Sequence, residues 1–103
     1  MPVYHDCWDV PIRVTEERLA HILEHPEMEG QETRIAETLR QPEVVVQSNT
    51  DPDVRLYHRS YDTATLGRKY LCAVVKWRRD DAFLITAYFT DRTKRGVVLW
   101  PSR

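Results

Sequence analysis

Two prolines set the limits of helix in this chain. Pro26 and Pro42 each lack an amide donor and disfavour α geometry in the residue before them. Only two short helices fit ahead of Pro42. In the first, Thr15 is placed as an N-cap, with Glu16 and Glu17 in the first turn where carboxylates complement the helix dipole. Leu19, Ile22 and Leu23 then give one apolar stripe at i, i+3, i+4, and Pro26 ends it. A second helix fits residues 31–40, with Ile35, Ala36 and Leu39 inward. A short extended segment, residues 10–14, precedes both.

Beyond Pro42 the apolar period changes to two. Residues 43–48 are rich in β-branched side chains and read as a strand. Turn chemistry follows at Asn49–Asp53, then strands over 54–61, 69–78 and 82–90. Residues 62–68 are a loop containing Gly67, Arg79–Asp81 a tight connection, and 91–96 a basic loop ending at Gly96. Val97 to Trp100 close the pattern as a last strand before Pro101. Short connections make neighbouring strands antiparallel. The expected fold is α+β, one domain over residues 1–103, with both N-terminal helices on one face of a four- to five-stranded antiparallel sheet.

Alternation divides the long strands between a core face and an open face. It assigns Phe83, Ile85, Ala87 and Phe89, then Leu71, Ala73, Val75 and Trp77, then Val54, Leu56 and His58 to the core. The opposite set contains Arg55, Tyr57, Arg59, Lys76, Arg78, Thr86 and Tyr88. Such a surface interleaves cations with aromatic rings. Arginine forks match phosphates, and tyrosine rings stack on splayed bases.

The net charge of −1 conceals an asymmetry. Residues 1–53 hold 4 basic and 12 acidic side chains, and residues 54–103 hold 11 basic and 4 acidic. The halves therefore carry −8 and +7. A basic half of that size suits a polyanion; mutual attraction of the two halves is the plainer account. Cys7 and Cys72 make no disulfide framework, so a reducing, cytoplasmic setting is expected. No apolar run approaches the roughly 20 residues of a membrane span, and no membrane partner is expected. Gly30, Gly67 and Gly96 are isolated, so no glycine-rich phosphate loop exists. Cys72, between Leu71 and Ala73, reads as packing rather than as a nucleophile.

His21 and His25 share one helical face, with Glu24 between them. The run His21-Ile-Leu-Glu-His25 matches the spacing of one class of zinc hydrolases, H-x-x-E-H. That reading needs a third ligand from a later helix, which the pattern does not offer. Histidines that merely end a helix, and histidines that transfer protons near neutral pH, are the other two readings.

The whole pattern resembles the phage-associated barnase–EndoU–colicin–RelE-like nuclease families. The residues that carry the likeness are His21-Ile-Leu-Glu-His25-Pro26-Glu27, Pro42-Glu-Val-Val-Val46, Leu56-Tyr-His-Arg-Ser-Tyr61, Lys69-Tyr-Leu-Cys-Ala-Val-Val-Lys76, and Thr86-Ala-Tyr-Phe-Thr90 with Lys94. The resemblance runs from about Val14 to Trp100. It implies a two-helix, four- or five-stranded fold and metal-independent RNA cleavage, with no cofactor. The families' helix-borne histidine falls on His21 or His25, their strand-borne basic residue on Arg59 or Lys76, and their hydroxyl residue on Thr86.

The resulting expectation is an endoribonuclease in which a 2′-hydroxyl attacks the adjacent phosphorus. A histidine or an activated water takes the proton. Arg59 and Lys76 stabilise the developing charge, usually the largest contribution at such a centre. Arg55, Tyr57, Arg78, Tyr88 and Lys94 bind the substrate. RNA is the expected partner, with an antitoxin or immunity protein as a second one for a toxin or phage-conflict role. The alternatives are a non-catalytic nucleic-acid- or protein-binding module, and a zinc hydrolase using His21, Glu24 and His25.

Overall fold

Local rules hold well in the helical part. Thr15 is extended, and its hydroxyl accepts from the Arg18 amide at 3.1 Å, capping the helix α1 (Glu16–Leu23). Leu19 and Ile22 are its buried residues. Pro26 then opens a single 3₁₀ turn, Pro26–Met28, whose Met28 is fully buried. The helix α2 (Glu32–Arg40) buries Ile35, Thr38 and Leu39. The computed structural model describes residues 3–101. None of the helices in that range is long and apolar enough to cross a membrane.

The strands are β1 (Val3–His5), β2 (Pro11–Arg13), β3 (Val44–Ser48), β4 (Val54–Thr63), β5 (Gly67–Arg78), β6 (Asp81–Thr90) and β7 (Gly96–Trp100). They form one sheet in the order β1-β2-β6-β5-β4-β3-β7. The α+β class and the β3–β6 antiparallel meander match expectation. The sheet is larger than the four or five strands expected, and it is mixed, because β2 pairs with β6 in parallel. Residues 3–5 and 11–13 are too short to display alternation, yet they pair with each other and extend the free edge of β6. Both helices cover one face. Leu19, Ile22, Ile35 and Leu39 pack with Ile12, Val14, Val45, Leu71, Ala73 and Val75 in the main core.

Two strands depart from the expected faces. In β6 the register shifts at Val74/Val75, so that Val74 pairs with Thr86 and Val75 with Leu84. Ile85 is therefore the extra residue of a β-bulge. Ala87 and Phe89 stay on the core side beyond it; before it the core residues are Ala82 and Leu84, not Phe83 and Ile85. One unpaired residue inverts the alternation, and period counting cannot detect it.

In β4 the inversion is complete. Tyr57 is fully buried in the main core and Tyr61 packs against it, whereas Leu56 belongs to a second apolar cluster on the open face with Val46 and Cys72. The cause lies 51 residues upstream. The Tyr57 hydroxyl donates to Oδ2 of Asp6 at 2.6 Å. Asp6 is fully buried, and its Oδ1 accepts the amides of Trp8 and Val10, each at 2.9 Å. A buried carboxyl must find such donors, and Tyr57 supplies the one that reaches across the sheet. Residues 6–10 thus close the part of the core face that the helices leave bare. Arg55, on the same side as Tyr57, stacks with its guanidinium 3.9 Å from the Trp77 ring and 5.3 Å from Trp8.

The sheet also requires an unusual connection. β6 and β7 are four strand spacings apart, roughly 19 Å on a flat sheet. Thr90 and Gly96 are joined by only six steps of chain, at most about 22 Å when fully extended. The connection Asp91–Arg95 therefore crosses the open face as a strap with little slack, held there by the Lys94 amide on His58. Gly96 marks where the strap lands. A Cβ there would sit far inside the van der Waals radius of the Gln47 carbonyl oxygen of β3.

Two stability predictions follow from these contacts. Gly96→Ala should weaken the β3–β7 seam by about 1–3 kcal/mol, read as a lower urea midpoint. Tyr57→Phe removes a donor from a buried carboxyl and should cost about 1–3 kcal/mol. A Tyr57→Phe midpoint equal to that of the parent protein would show that Asp6 does not hold β4 in register.

Candidate functional site

The open face is built in cross-strand rows. β3, β4, β5 and β6 contribute Val44, His58, Cys72 and Tyr88 to one row. The next row is Val46, Leu56, Val74 and Thr86, and beyond it Val54, Lys76 and Phe83 stand side by side. In the other direction lie Ser60, Tyr70 and Thr90. The floor is apolar where the strap passes. Val46, Leu56 and Cys72 are buried there, packed with Val44, Val54, Val74 and Tyr88.

His58 fixes the strap to this floor. The ring is fully buried, and its Nε2 accepts the Lys94 amide at 3.0 Å. Nδ1 lies 3.4 Å from the Val44 carbonyl, which fits the tautomer carrying its proton on Nδ1. Burial, with Lys94 adding to it, holds the His58 pKa below its usual value. The Lys94 side chain continues over the Tyr88 ring, its ammonium 5.3 Å from the centroid. Burial and the neighbouring Cys72 keep the Tyr88 hydroxyl protonated well into the alkaline range. The Cys72 thiol is itself pushed up to about 11 by burial, which makes it a poor nucleophile.

The cations differ in what they are free to do. Lys76 is held by Asp51 at 2.6 Å, Arg13 by Asp81 at 2.8 Å, and Arg68 by Asp62 at 3.1 Å. Lys69 pairs with Asp91. By contrast, Arg92, Lys94 and Arg95 of the strap are exposed and make no ion pair among the described residues, and the same holds for Arg78 at the end of β5.

The residues singled out from the sequence fall into separate places. Lys76, Arg78, Thr86, Tyr88 and Lys94 lie on the open face. Arg55, Tyr57 and Arg59 do not join them, because β4 presents the opposite parity. Tyr57 is sealed in the core and Arg55 is stacked on Trp77. Arg59 donates to the Gln41 carbonyl at 2.7 Å and faces Glu37 at 3.5 Å, tying β4 to the end of α2. His21 is exposed on α1, across the sheet from Thr86 and Lys76, whereas His25 lies beyond the end of the helix in the extended residue before Pro26, so the two do not share a helical face; their ring centroids are 6.1 Å apart. His21 approaches only Glu24, at 3.6 Å. One phosphate cannot touch both these imidazoles and the open face. Nor does a zinc set form: among the described residues no group of three or more His, Cys, Asp or Glu is placed to hold a metal ion.

Sequence reasoning missed His58 and the strap arginines. Alternation alone puts His58 in the core beneath the helices, and the inversion at Tyr57 reverses that. The basic run 92–95 was visible, but its path across the face depends on the position of β7 in the sheet order.

Comparison with known proteins adds one finding. No curated protein and no solved structure matches the chain. A family model does, described as phage-Barnase-EndoU-ColicinE5/D-RelE like nuclease2, and it spans residues 2–101. That match takes in the helices, the meander, the strap and β7 together, and the chain belongs to this family of phage-associated nuclease-like domains.

Proposed function

We propose that the open face binds RNA over and beside the strap and cleaves it without a metal. The observation that carries this reading is the strap itself. Its Arg92, Lys94 and Arg95 are exposed and make no ion pair among the described residues, Lys94 stands over the Tyr88 ring, and Arg13, Arg68 and Lys76 of the same face are each neutralised by a carboxylate. Free cations above an aromatic ring suit a phosphodiester and a splayed base. Family membership supports the phosphodiester.

In this reading the 2′-hydroxyl attacks the adjacent phosphorus and the 5′-oxygen leaves, giving a 2′,3′-cyclic phosphate. Lys94 and the strap arginines stabilise the charge on the non-bridging oxygens. Tyr88, kept protonated, donates to a phosphoryl oxygen, and Thr86 orients it. His58 has both ring nitrogens against backbone groups, so water accepts the 2′-hydroxyl proton and solvent returns a proton to the 5′-oxygen as the P–O5′ bond breaks. Lys76, neutralised by Asp51, shapes the lower wall. An antitoxin or immunity protein would act here as an acidic competitor for the strap.

The engaged state of His58 also favours a second reading, a module that binds RNA on the same face without cleaving it. The experiments separate the two. Wild-type protein should cleave single-stranded RNA in the presence of chelator and leave cyclic phosphate ends. Lys94→Ala should lower the rate on the order of 10²-fold and reduce the salt slope of binding by about one. His21→Ala/His25→Ala should bind and cleave as the parent does. Loss of cleavage in that folded double variant would return the chemistry to α1 and reject the open-face site. Binding without cleavage at micromolar protein would establish the module instead.

A further inference from the structure

His58 is the fully buried histidine of the chain; His5, His21 and His25 are exposed. Its position is informative because both ring nitrogens meet backbone groups of other segments. Val44 of β3 offers a carbonyl to Nδ1, and Lys94 of the strap offers an amide to Nε2. An amide N–H can be held only by a nitrogen that carries no proton. We propose that His58 is the positioning residue of the strap: its bare Nε2 clamps the Lys94 amide, and protonation of the ring releases the strap.

The surroundings make the clamp sensitive to acid. β5 places Cys72 beside the ring and β6 places Tyr88 beyond it, both uncharged at neutral pH. The strap brings the Lys94 ammonium, which repels an imidazolium. The carboxylates of the adjoining β3 entry and of the strap are engaged elsewhere, Glu43 by the amide and hydroxyl of Ser60 and Asp91 by Lys69. No carboxylate among the described residues compensates a proton on His58. Adding one sets Nε2–H against the Lys94 N–H inside an apolar pocket.

The direction of the effect follows. Burial depresses the ring's pKa while the strap is docked, relative to the ordinary 6.5 it regains when the strap lifts. The undocked form then binds more protons. Docking is at full strength above pH 6.5 and weakens as the pH falls below it. Release carries the Lys94 ammonium away from Tyr88 and uncovers Cys72. The consequence for RNA rests on the open-face reading; the clamp does not.

Imidazole ¹⁵N shifts and Lys94 amide exchange in the wild-type protein test the clamp directly. The expected results are an Nδ1–H tautomer at pH 7.5 and a Lys94 protection factor that falls about tenfold per pH unit below 6.5, until the docked ring itself titrates. His58→Gln keeps an acceptor that does not titrate, so its Lys94 protection should be insensitive to pH. An Nε2–H tautomer, or pH-independent protection in the wild type, overturns the proposal. The same acid dependence in His58→Gln also overturns it. The wild-type measurements decide even where the variant fails to fold. A parallel titration with single-stranded RNA at pH 7.5 separates the two ideas: absence of binding rejects the RNA reading alone, and pH-independent exchange rejects the clamp alone.

Discussion

The arrangement of this sheet depends on a buried carboxyl. Asp6 sits in the core with no arginine or lysine among the described residues against its carboxylate oxygens, which accept from two backbone amides and one phenol. The phenol belongs to Tyr57, so β4 turns that residue inward. Because side chains alternate, turning Tyr57 in turns Leu56 and His58 out. The open face thereby acquires an apolar floor and a histidine to hold the strap, and it loses Arg55 and Arg59 to the other side. A single long-range hydrogen bond decides which residues are available for chemistry.

The helices were legible in the sequence because their signals are local. Thr15, Pro26 and the Leu19–Ile22 spacing act within a few residues of themselves. β5 was also legible, with Leu71, Ala73 and Val75 in the core and Cys72, Val74 and Lys76 opposite. β6 was half legible, since its alternation is correct only beyond the bulge at Ile85. β4 was not, since Tyr57 and Leu56 both suit a core and only Asp6 chooses between them. The candidate site suffered accordingly. Lys76, Thr86, Tyr88 and Lys94 do share a face, but the β4 cations and both His21 and His25 are elsewhere.

The charge asymmetry is also clarified by the fold. Part of it is internal pairing between the acidic and basic halves, as in Arg59 with Glu37 and Lys76 with Asp51. Pairs at a protein surface contribute little to stability. Their larger effect is to remove those cations from competition for an external anion. Among the described residues the exposed cations without an ion pair include Arg92, Lys94 and Arg95 of the strap and Arg78 at the end of β5.

β7 is an edge strand, and Val97 and Val98 are each 59% exposed on it. An apolar edge with free backbone groups invites another strand. Here the chain enters that edge directly from Arg92, Lys94 and Arg95. Two copies meeting through their β7 edges would bring two cationic straps together, and like charge opposes the encounter. An anion bound on the strap lowers that repulsion. The strap cations would therefore also oppose pairing of two copies along β7, and an anion that neutralised them would weaken that opposition.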